Sequence, residues 1–451
     1  HIIFVSELSM KIYSSYKIKI KGYSSVFDET VSLYRKAVDF FINVILSRWE
    51  TDFSMCKNQS DVIRLAERLC HSTAKRPFVD FDFSKDFYKF PSYLRRAAIA
   101  QAFGDVSSYQ TRLQLWQKHR QGQAPGMPRV GHVFPAMYRD NMFRRTGRET
   151  ARVKVFVRHT WDWIDIGLRK TDVDYIARYC STRKECVPIL RKRGKNWFLE
   201  FGFEESVKLS DTPIEQQRIV AVDLGINNAC VCSVMNADGT ILARRFLRLS
   251  QEQDRLKRSL DRIKQAQRHG ARKMPRLWAL CKGINDDISV KTARFIMDVA
   301  VLYEADTIVI EKLELRGKKR GGKRQRLQHW RAQYVQQMVE HKAHRCGMRI
   351  RRVNAWNTSR LAFDGSGMVE RDAKNYSLCT FVNGKRYHAD LNASYNIGAR
   401  YFVRELFKTL TVTQGQHISA KVPECVKRST CTLSSLIRLH TEMRSFRTAL
   451  L

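Results

Sequence analysis

The chain has 451 residues, 43% of them hydrophobic, which supplies packed cores and argues against global disorder. Lys and Arg number 81 against 44 Asp and Glu, a net charge of +37. A folded protein so basic repels itself unless a polyanion covers it, so nucleic acid is the expected partner, and a merely basic protein is the bland alternative.

At about 150 residues per domain, roughly three domains are expected. No window carries the run of apolar residues that a membrane span needs, so no membrane partner is expected. The opening HIIFVSELSM has neither a basic leader nor a cleavage site, and no secretion signal is read there. The eleven cysteines include no C-x-x-C pair, which fits reduced thiols in a cytoplasm better than a disulfide scaffold.

In chain order, KIYSSYKIKIKG (11–22) alternates apolar with basic residues and predicts a strand. Val31, Tyr34, Val38, Phe41 and Ile45 recur at helical spacing, and helical texture continues to about Arg120. QGQAPGMPRVG reads as a linker. From 129 to 208 strands are expected. Val153, Val155 and Val157 alternate with polar residues, and VPILRKRGKNWFLEFGF turns near Gly194. A first strand, a helical insertion and further strands predict a small β-barrel interrupted by helices. Trp161, Trp163 and Trp197 could stack on bases, although alternation turns at least half of these positions to a core.

RIVAVDLGINNACVCSVMNADGTILARRF predicts two apolar strands joined at Asn236-Ala237-Asp238-Gly239, with Cys230 and Cys232 on one face. A basic helical region (251–303) follows, then the strand DTIVIEKLE. The next helix carries Trp330, Tyr334 and Met338 on one face and stops at Gly347. The strand MRIRRV and the helix HADLNASYNIGARYF complete the pattern.

Three carboxylates stand out. Asp223 and Glu311 each end a fully apolar strand, where a buried charge needs a partner or a metal. Asp390 opens a helix, where the dipole favours it, and alone it reads as a cap. Glu311 alone could pair with a lysine. Converging, the three would bind Mg²⁺ or Mn²⁺, since hard cations prefer oxygen ligands.

AVDLGINNA, IVIEKLE and HADLNASYNIGARYF resemble the three RuvC motifs of transposon TnpB nucleases and of compact type V CRISPR effectors. The resemblance runs from about 11 to 405. It implies an α+β, bilobed fold, with a wedge barrel interrupted by a helical recognition insertion, plus an RNase H-like RuvC nuclease domain. The expected segments are 1–24 (first wedge strand), 25–124 (recognition lobe), 125–208 (wedge), 215–405 (nuclease, interrupted at 355–388) and 406–451 (basic tail). It makes Asp223, Glu311 and Asp390 the catalytic metal ligands and Asn392 a structural or second-shell neighbour. The implied partners are a guide RNA and target double-stranded DNA, in a prokaryotic cytoplasm. Monomer and dimer both stay open.

One departure concerns zinc. Such proteins often carry a paired C-x-x-C ribbon before the third motif, but here Ala362, Gly365, Cys379, Thr380 and Asn383 leave a single thiol. One thiol cannot build a tetrahedral structural site, so no structural zinc is expected. Asp364, His388 and Cys379 are the only substitutes to weigh. The run GKKRGGKRQR supplies Lys318, Lys319, Arg320, Lys323, Arg324 and Arg326, which beside a nuclease centre reads as a phosphate-gripping lid and otherwise as a solvated loop. The function so implied is RNA-guided, metal-dependent DNA cleavage. The competing readings are a nuclease-inactive RNA-guided repressor and an RNA-independent DDE-type transposase or resolvase.

Overall fold

Alternation of isoleucines with lysines produces the first strand, β1 (Ser9–Lys21): Ile18 and Ile20 are fully buried, the flanking Lys17 and Lys21 are exposed, and Lys19 between the isoleucines is half-buried. The computed structural model describes residues 9–22, 25–120, 122–225, 228–313, 331–372, 374–375, 377–427 and 429–449. These fall into two units, one of Tyr13–Glu205 and one built on Ser206–Leu451.

In the first unit, helices α1 (Ser25–Ser47), α2 (Gln59–Cys70), α3 (Phe83–Asp86) and α4 (Ser92–His119) precede the strands β2 (Phe143–Arg145), β3 (Thr150–Val157) and β4 (Thr160–Leu168). Helix α5 (Lys170–Tyr179) and strands β5 (Lys184–Glu185), β6 (Ile189–Arg193) and β7 (Asn196–Lys208) follow. The hairpin expected near Gly194 is present, with Gly194 at φ +59° between β6 and β7. Helices and strands share one hydrophobic core. The short α3 exists because Phe83, Phe87 and Phe90 pack on one another and on Phe41 and Trp161, with Phe83–Phe87 stacked at 4.4 Å. Trp161 and Trp197 lie in this core, whereas Arg144 covers the ring of Trp163.

The closed barrel expected from the sequence is not found among the described residues. The sheet runs β2-β3-β4-β1-β7-β5, with β6 also on β7, and has open ends. Edge strands β2 and β5 are three and two residues long, too short for a ladder, and Glu185 bridges them by ion pairs to Arg139 and Arg145, both at 2.9 Å.

The second unit centres on a five-stranded sheet. Its strands are β8 (Arg218–Asp223), β9 (Cys230–Asn236), β10 (Ile241–Leu247), β11 (Thr307–Lys312) and β12 (Arg349–Asn354), ordered β10-β9-β8-β11-β12. β9 is antiparallel to β8 and β10; β8, β11 and β12 are mutually parallel. The β9–β10 turn is the one read from Asn-Ala-Asp-Gly, with Gly239 at φ +88°. The basic helical stretch divides into α6 (Ser250–Arg268) and α7 (Pro275–Leu302), broken where Gly270 takes φ +85° and Pro275 starts a new helix.

Period-2 alternation sends Val220 and Val222 to one face of the sheet, with α7 and helix α8 (Ala332–Arg345). Ile219, Ala221 and Val309 go to the other, where helix α9 (Ala389–Phe407) lies. Parallel strands covered on both faces read as continuous apolar runs, as these do. Helix α8 buries Ala332, Val335, Val339 and Ala343; Tyr334 and Met338, expected on the buried face, flank it half-buried. Between β12 and α9, short strands β13 (Glu370–Arg371), β14 (Leu378–Thr380) and β15 (Arg386–His388) form a small antiparallel sheet. The expected basic tail instead folds as helices α10 (Val412–Lys421) and α11 (Leu433–Ala449). Leu433, Leu436, Leu439 and Met443 pack with Phe402 and Leu406 of α9.

Helix α9 approaches the sheet at Gly398, where an added Cβ would lie 2.5 Å from Met235 Sδ and 3.1 Å from Ala221 Cβ. Gly398→Val should therefore lower unfolding stability by about 1–3 kcal/mol, the usual cost of overpacking a filled core. Thermal or denaturant melts check this; an unchanged midpoint would show that α9 is free to lift away.

Candidate active site

The chain of contacts at the candidate site begins with strand register. The β8–β11 pairing runs from Thr307–Ile219 to Ile310–Val222, so the next residues, Glu311 and Asp223, lie side by side. Adjacent strands are about 4.8 Å apart, which brings two carboxylates together at one sheet end. Both continue the alternation of Ile219, Ala221 and Val309, so both face α9. Asp390 stands in the first turn of α9.

Asp390 is not the helix cap; it accepts a hydrogen bond from Asn228 Nδ2 at 2.7 Å, and Asn228 Oδ1 accepts from Arg248 Nε at 3.2 Å. Arg371 Nη1 lies 4.0 Å from Asp390 Oδ1. Asn228 reaches this place because the chain turns tightly after Asp223: a Cβ on Gly225 would sit 2.6 Å from the Asn228 carbonyl oxygen. Glu311 accepts from the hydroxyl of Thr358, and among the described residues no lysine pairs with it. Its backbone carbonyl accepts from Gln336 Nε2 at 2.9 Å.

Electrostatics separates the two strand carboxylates. Burial pushes the Asp223 carboxyl well above its ordinary range, and the charges of Glu311 and Asp390 push it the same way, against the opposing effect of Arg371. Burial also raises Glu311, but the Thr358 hydroxyl and the charge of Arg400 pull it back. No described residue donates a hydrogen bond to the half-buried Asp223 carboxylate, so its repulsion with Glu311 and Asp390 is offset only in part, by the charge of Arg371. An all-oxygen set of this kind suits a hard divalent cation. Among the described residues no group of three or more His, Cys, Asp or Glu side chains is gathered as a ready-made metal site. The structure thus brings Glu311 and Asp390 each within electrostatic reach of Asp223 without closing the three on a common point.

Asn392 is fully buried and spends its amide on the chain before β13, donating to the Leu361 carbonyl at 2.8 Å and accepting from Phe363 N at 2.8 Å. Sequence reasoning missed Asn228, Thr358, Arg371, Asn396 and Arg400; only the polar cluster NTSR directly after a strand hinted at Thr358. Lys318, Lys319, Arg320, Lys323, Arg324 and Arg326 lie outside the described residues.

The ribbon-like region holds its shape without paired thiols. Cys379, Ala362, Phe381 and Ala389 form a small core, and Phe363 packs against Phe381, Tyr387 and Tyr395 at ring distances of 5.0 to 5.5 Å. Of the three candidate zinc substitutes, Cys379 and Asp364 have hydrogen-bond partners, while both ring nitrogens of His388 are buried without one among the described residues. Cys379 Sγ points to the Tyr387 carbonyl at 3.5 Å, Asp364 accepts from Ser366 N and Asn383 Nδ2, and His388 packs edge-on against Phe246.

Comparison with known proteins agrees with this arrangement. Residues 14–157 match the Aq_aa04 family, residues 204–321 the OrfB_IS605 family, described as a probable transposase, and residues 333–397 the Cas12f1-like TNB domain. These matches make the chain similar in part to TnpB-like proteins. Two proteins of Aquifex aeolicus (strain VF5) are similar to it. The TnpB-like protein aq_aa05 is 26% identical over 235 residues, covering 46% of this chain and 74% of that protein. The uncharacterized protein aq_aa04 is 26% identical over 137 residues, covering 27% and 74%. Among solved structures, Cas12f1 in a complex with sgRNA and target DNA superposes with a TM-score of 0.51 at 14% identity, covering 83% of this chain and 81% of that one. That likeness is one of fold. The described residues form a mixed α/β fold, and among them no helix is long and apolar enough to cross a membrane.

Two measurements test the site. Asp223 and Glu311 hold their protons more tightly folded than unfolded, so their ionisation costs stability as pH rises from the ordinary carboxylate range through the raised folded values. Asp223→Asn, neutral throughout, should therefore raise the melting temperature of metal-free protein at about pH 8, with the gain shrinking toward about pH 4. A loss at high pH would show that Asp223 is already compensated. Elemental analysis of protein purified without chelators should find substoichiometric zinc. Stoichiometric zinc that disappears in Cys379→Ser would overturn the metal-free account of the ribbon-like region.

Proposed function

We propose that the chain is an RNA-guided DNA endonuclease that hydrolyses phosphodiesters of target DNA at a single carboxylate centre after guide RNA has paired with the target. The observation that carries this reading is the placement of Asp223 and Glu311 side by side at one end of a parallel-containing sheet, on the face covered by α9, with Asp390 of that helix in electrostatic reach of Asp223. This order of strands and helix fits an RNase H-like, RuvC-type domain. The net charge of +37 suits two nucleic-acid partners at once, and the TnpB-like matches point the same way.

Asp223, Glu311 and Asp390 would hold Mg²⁺ or Mn²⁺, which supplies an activated water and charge stabilisation at the leaving oxygen. The chain's own residues orient that set. Asn228 fixes which oxygen of Asp390 faces inward, because its amide is committed to Asp390 on one side and to Arg248 on the other. Arg371 supplies positive charge beside Asp390 and Asp223 and suits a scissile phosphate there. The first unit is assigned to the wedge and recognition roles, with sequence read by base pairing and the protein reading only duplex shape and a short adjacent motif. Lys318, Lys319, Arg320, Lys323, Arg324 and Arg326, placed in sequence just after Glu311, are assigned to phosphate contacts.

Asp223→Ala, Glu311→Gln and Asp390→Ala should each reduce target cleavage to background while leaving guide-dependent DNA binding nearly intact, since affinity comes from phosphate contacts and base pairing. Cleavage and filter-binding assays with protein carrying its co-purified RNA check this. Near-parental cutting by Asp223→Ala would sink the assignment. Protein that purifies free of RNA and still cuts would favour an RNA-independent transposase.

A further inference from the structure

Glu311 is held by a side chain that is itself held from the far end of the chain. Thr358 is 2% exposed, and its hydroxyl lies within reach of Glu311 Oε1 and of the Ala355 carbonyl at 3.1 Å. Its one proton goes to the ionised carboxylate, the stronger acceptor. The Thr358 carbonyl in turn accepts from Asn396 Nδ2 at 3.0 Å, and the same amide donates to Leu361 O at 2.9 Å. Asn396 Oδ1 accepts from Leu433 N at 3.3 Å, where α11 begins. With two carbonyls on one side and an N–H on the other, the amide of Asn396 has only one orientation. It is fully buried.

Arg400 duplicates the link one turn along α9. It is 4% exposed and donates to four backbone carbonyls. Nη1 reaches Asn354 O at 2.9 Å and Trp356 O at 2.7 Å; Nε reaches Cys431 O at 3.3 Å and Nη2 reaches Ser429 O at 3.0 Å. One helix thus grips the segment that carries Thr358 and the segment that leads into α11. Leu433, Leu436 and Leu439 seat α11 in the same apolar core as α9. A buried guanidinium with four carbonyl partners is costly to leave half-made, so the two segments hold each other in place.

We infer that Thr358 is a positioning residue for Glu311, and that the Ser429–Leu433 segment with helix α11 belongs to the same device, acting through Asn396 and Arg400. The inference rests on the nuclease reading of the site. It gives the C-terminal helices a task in the chemistry beyond covering the core.

The test compares Thr358→Val, which keeps shape and removes the hydroxyl, with Thr358→Ser, which restores it, and adds Leu433→Pro, which removes the N–H donated to Asn396 at a first helical position that accepts proline. Thr358→Val should lower kcat for target cleavage about tenfold or more, as loss of a hydrogen bond to a charged group implies, with KM for target unchanged. Thr358→Ser should recover most of it. Leu433→Pro should act in the same direction, and the double variant with Thr358→Val should be little worse than Thr358→Val alone, because both remove one linkage. Mn²⁺ titration of the RNA-bound protein, read by electron paramagnetic resonance, should show weakened binding in Thr358→Val and recovery in Thr358→Ser. If the parent protein cuts no DNA, the nuclease reading fails while the Mn²⁺ titration still reads the positioning of Glu311. Parental behaviour of Thr358→Val, a serine variant as impaired as the valine one, or fully additive effects in the double variant would each overturn the inference.

Discussion

Two carboxylates stand at one end of neighbouring parallel strands, whose backbones lie about 4.8 Å apart, and their mutual repulsion is compensated unevenly. The sheet offers a direct comparison. At the opposite end of the same strands, Asp306 is saturated, accepting from Ser210 Oγ, Thr212 Oγ1 and Arg218 N. Its backbone also pairs with Arg218 and Arg349, so it pins β8, β11 and β12 together. Asp223 has none of this. A carboxylate whose hydrogen bonds are made locally is a structural one; a carboxylate left with burial and like-charged neighbours is stable only when something positive arrives. The asymmetry between the two ends of one sheet separates framework from site without reference to any relative.

The partial compensation that exists is uneven. Glu311 has Thr358 and the charge of Arg400, Asp390 has Asn228 and Arg371, and Asp223 has only the more distant Arg371. The Glu311 and Asp390 side chains are therefore held in place by their neighbours, and Asp223 carries the unfavourable energy. Orientation of ligands by surrounding hydrogen bonds commonly sets metal affinity as much as the ligands themselves. Helix α9 makes this possible, because it supplies Asp390 in its first turn and Asn392, Asn396 and Arg400 on successive turns facing the same loop.

How much of this was legible in the sequence depends on whether a residue's task is local or tertiary. Asp223 and Glu311 could be read because an apolar run that ends in a carboxylate violates the ordinary cost of burial, whereas Asp390 could be picked out only by its place in the motif HADLNASYNIGARYF. The β9–β10 and β6–β7 turns could be read because Gly239 and Gly194 sit where positive φ is required. Thr358, Asn228, Asn396 and Arg400 left no local trace, since each is defined by a partner dozens of residues away. The barrel failed for a different reason. Alternation fixes which face of a strand is buried, not whether the first and last strands meet, and here two very short edges meet through Glu185 instead. Helix α11 was legible in principle, as Leu433, Leu436, Leu439 and Met443 recur at helical spacing, but the basic residues between them drew the reading toward a tail.

The ribbon-like region, where the sequence leaves a single thiol, can be weighed against a structural zinc by the contacts that hold it. A structural zinc contributes folding free energy on the order of 10 kcal/mol, whereas each aromatic pair adds only about 0.5–1.5 kcal/mol beyond its burial. The pairs Phe363 makes with Phe381, Tyr387 and Tyr395 do not match a zinc by themselves. The difference is made up by attachment. Tyr395 and Ala389 belong to α9, Asn392 grips Leu361 and Phe363, and Ser434 N donates to the Phe363 carbonyl at 2.9 Å. A zinc ribbon organises itself from within; this one is organised by the helix it rests on. Its folding is consequently tied to the same helix that carries Asp390, so loss of order in the small sheet and loss of the site should occur together.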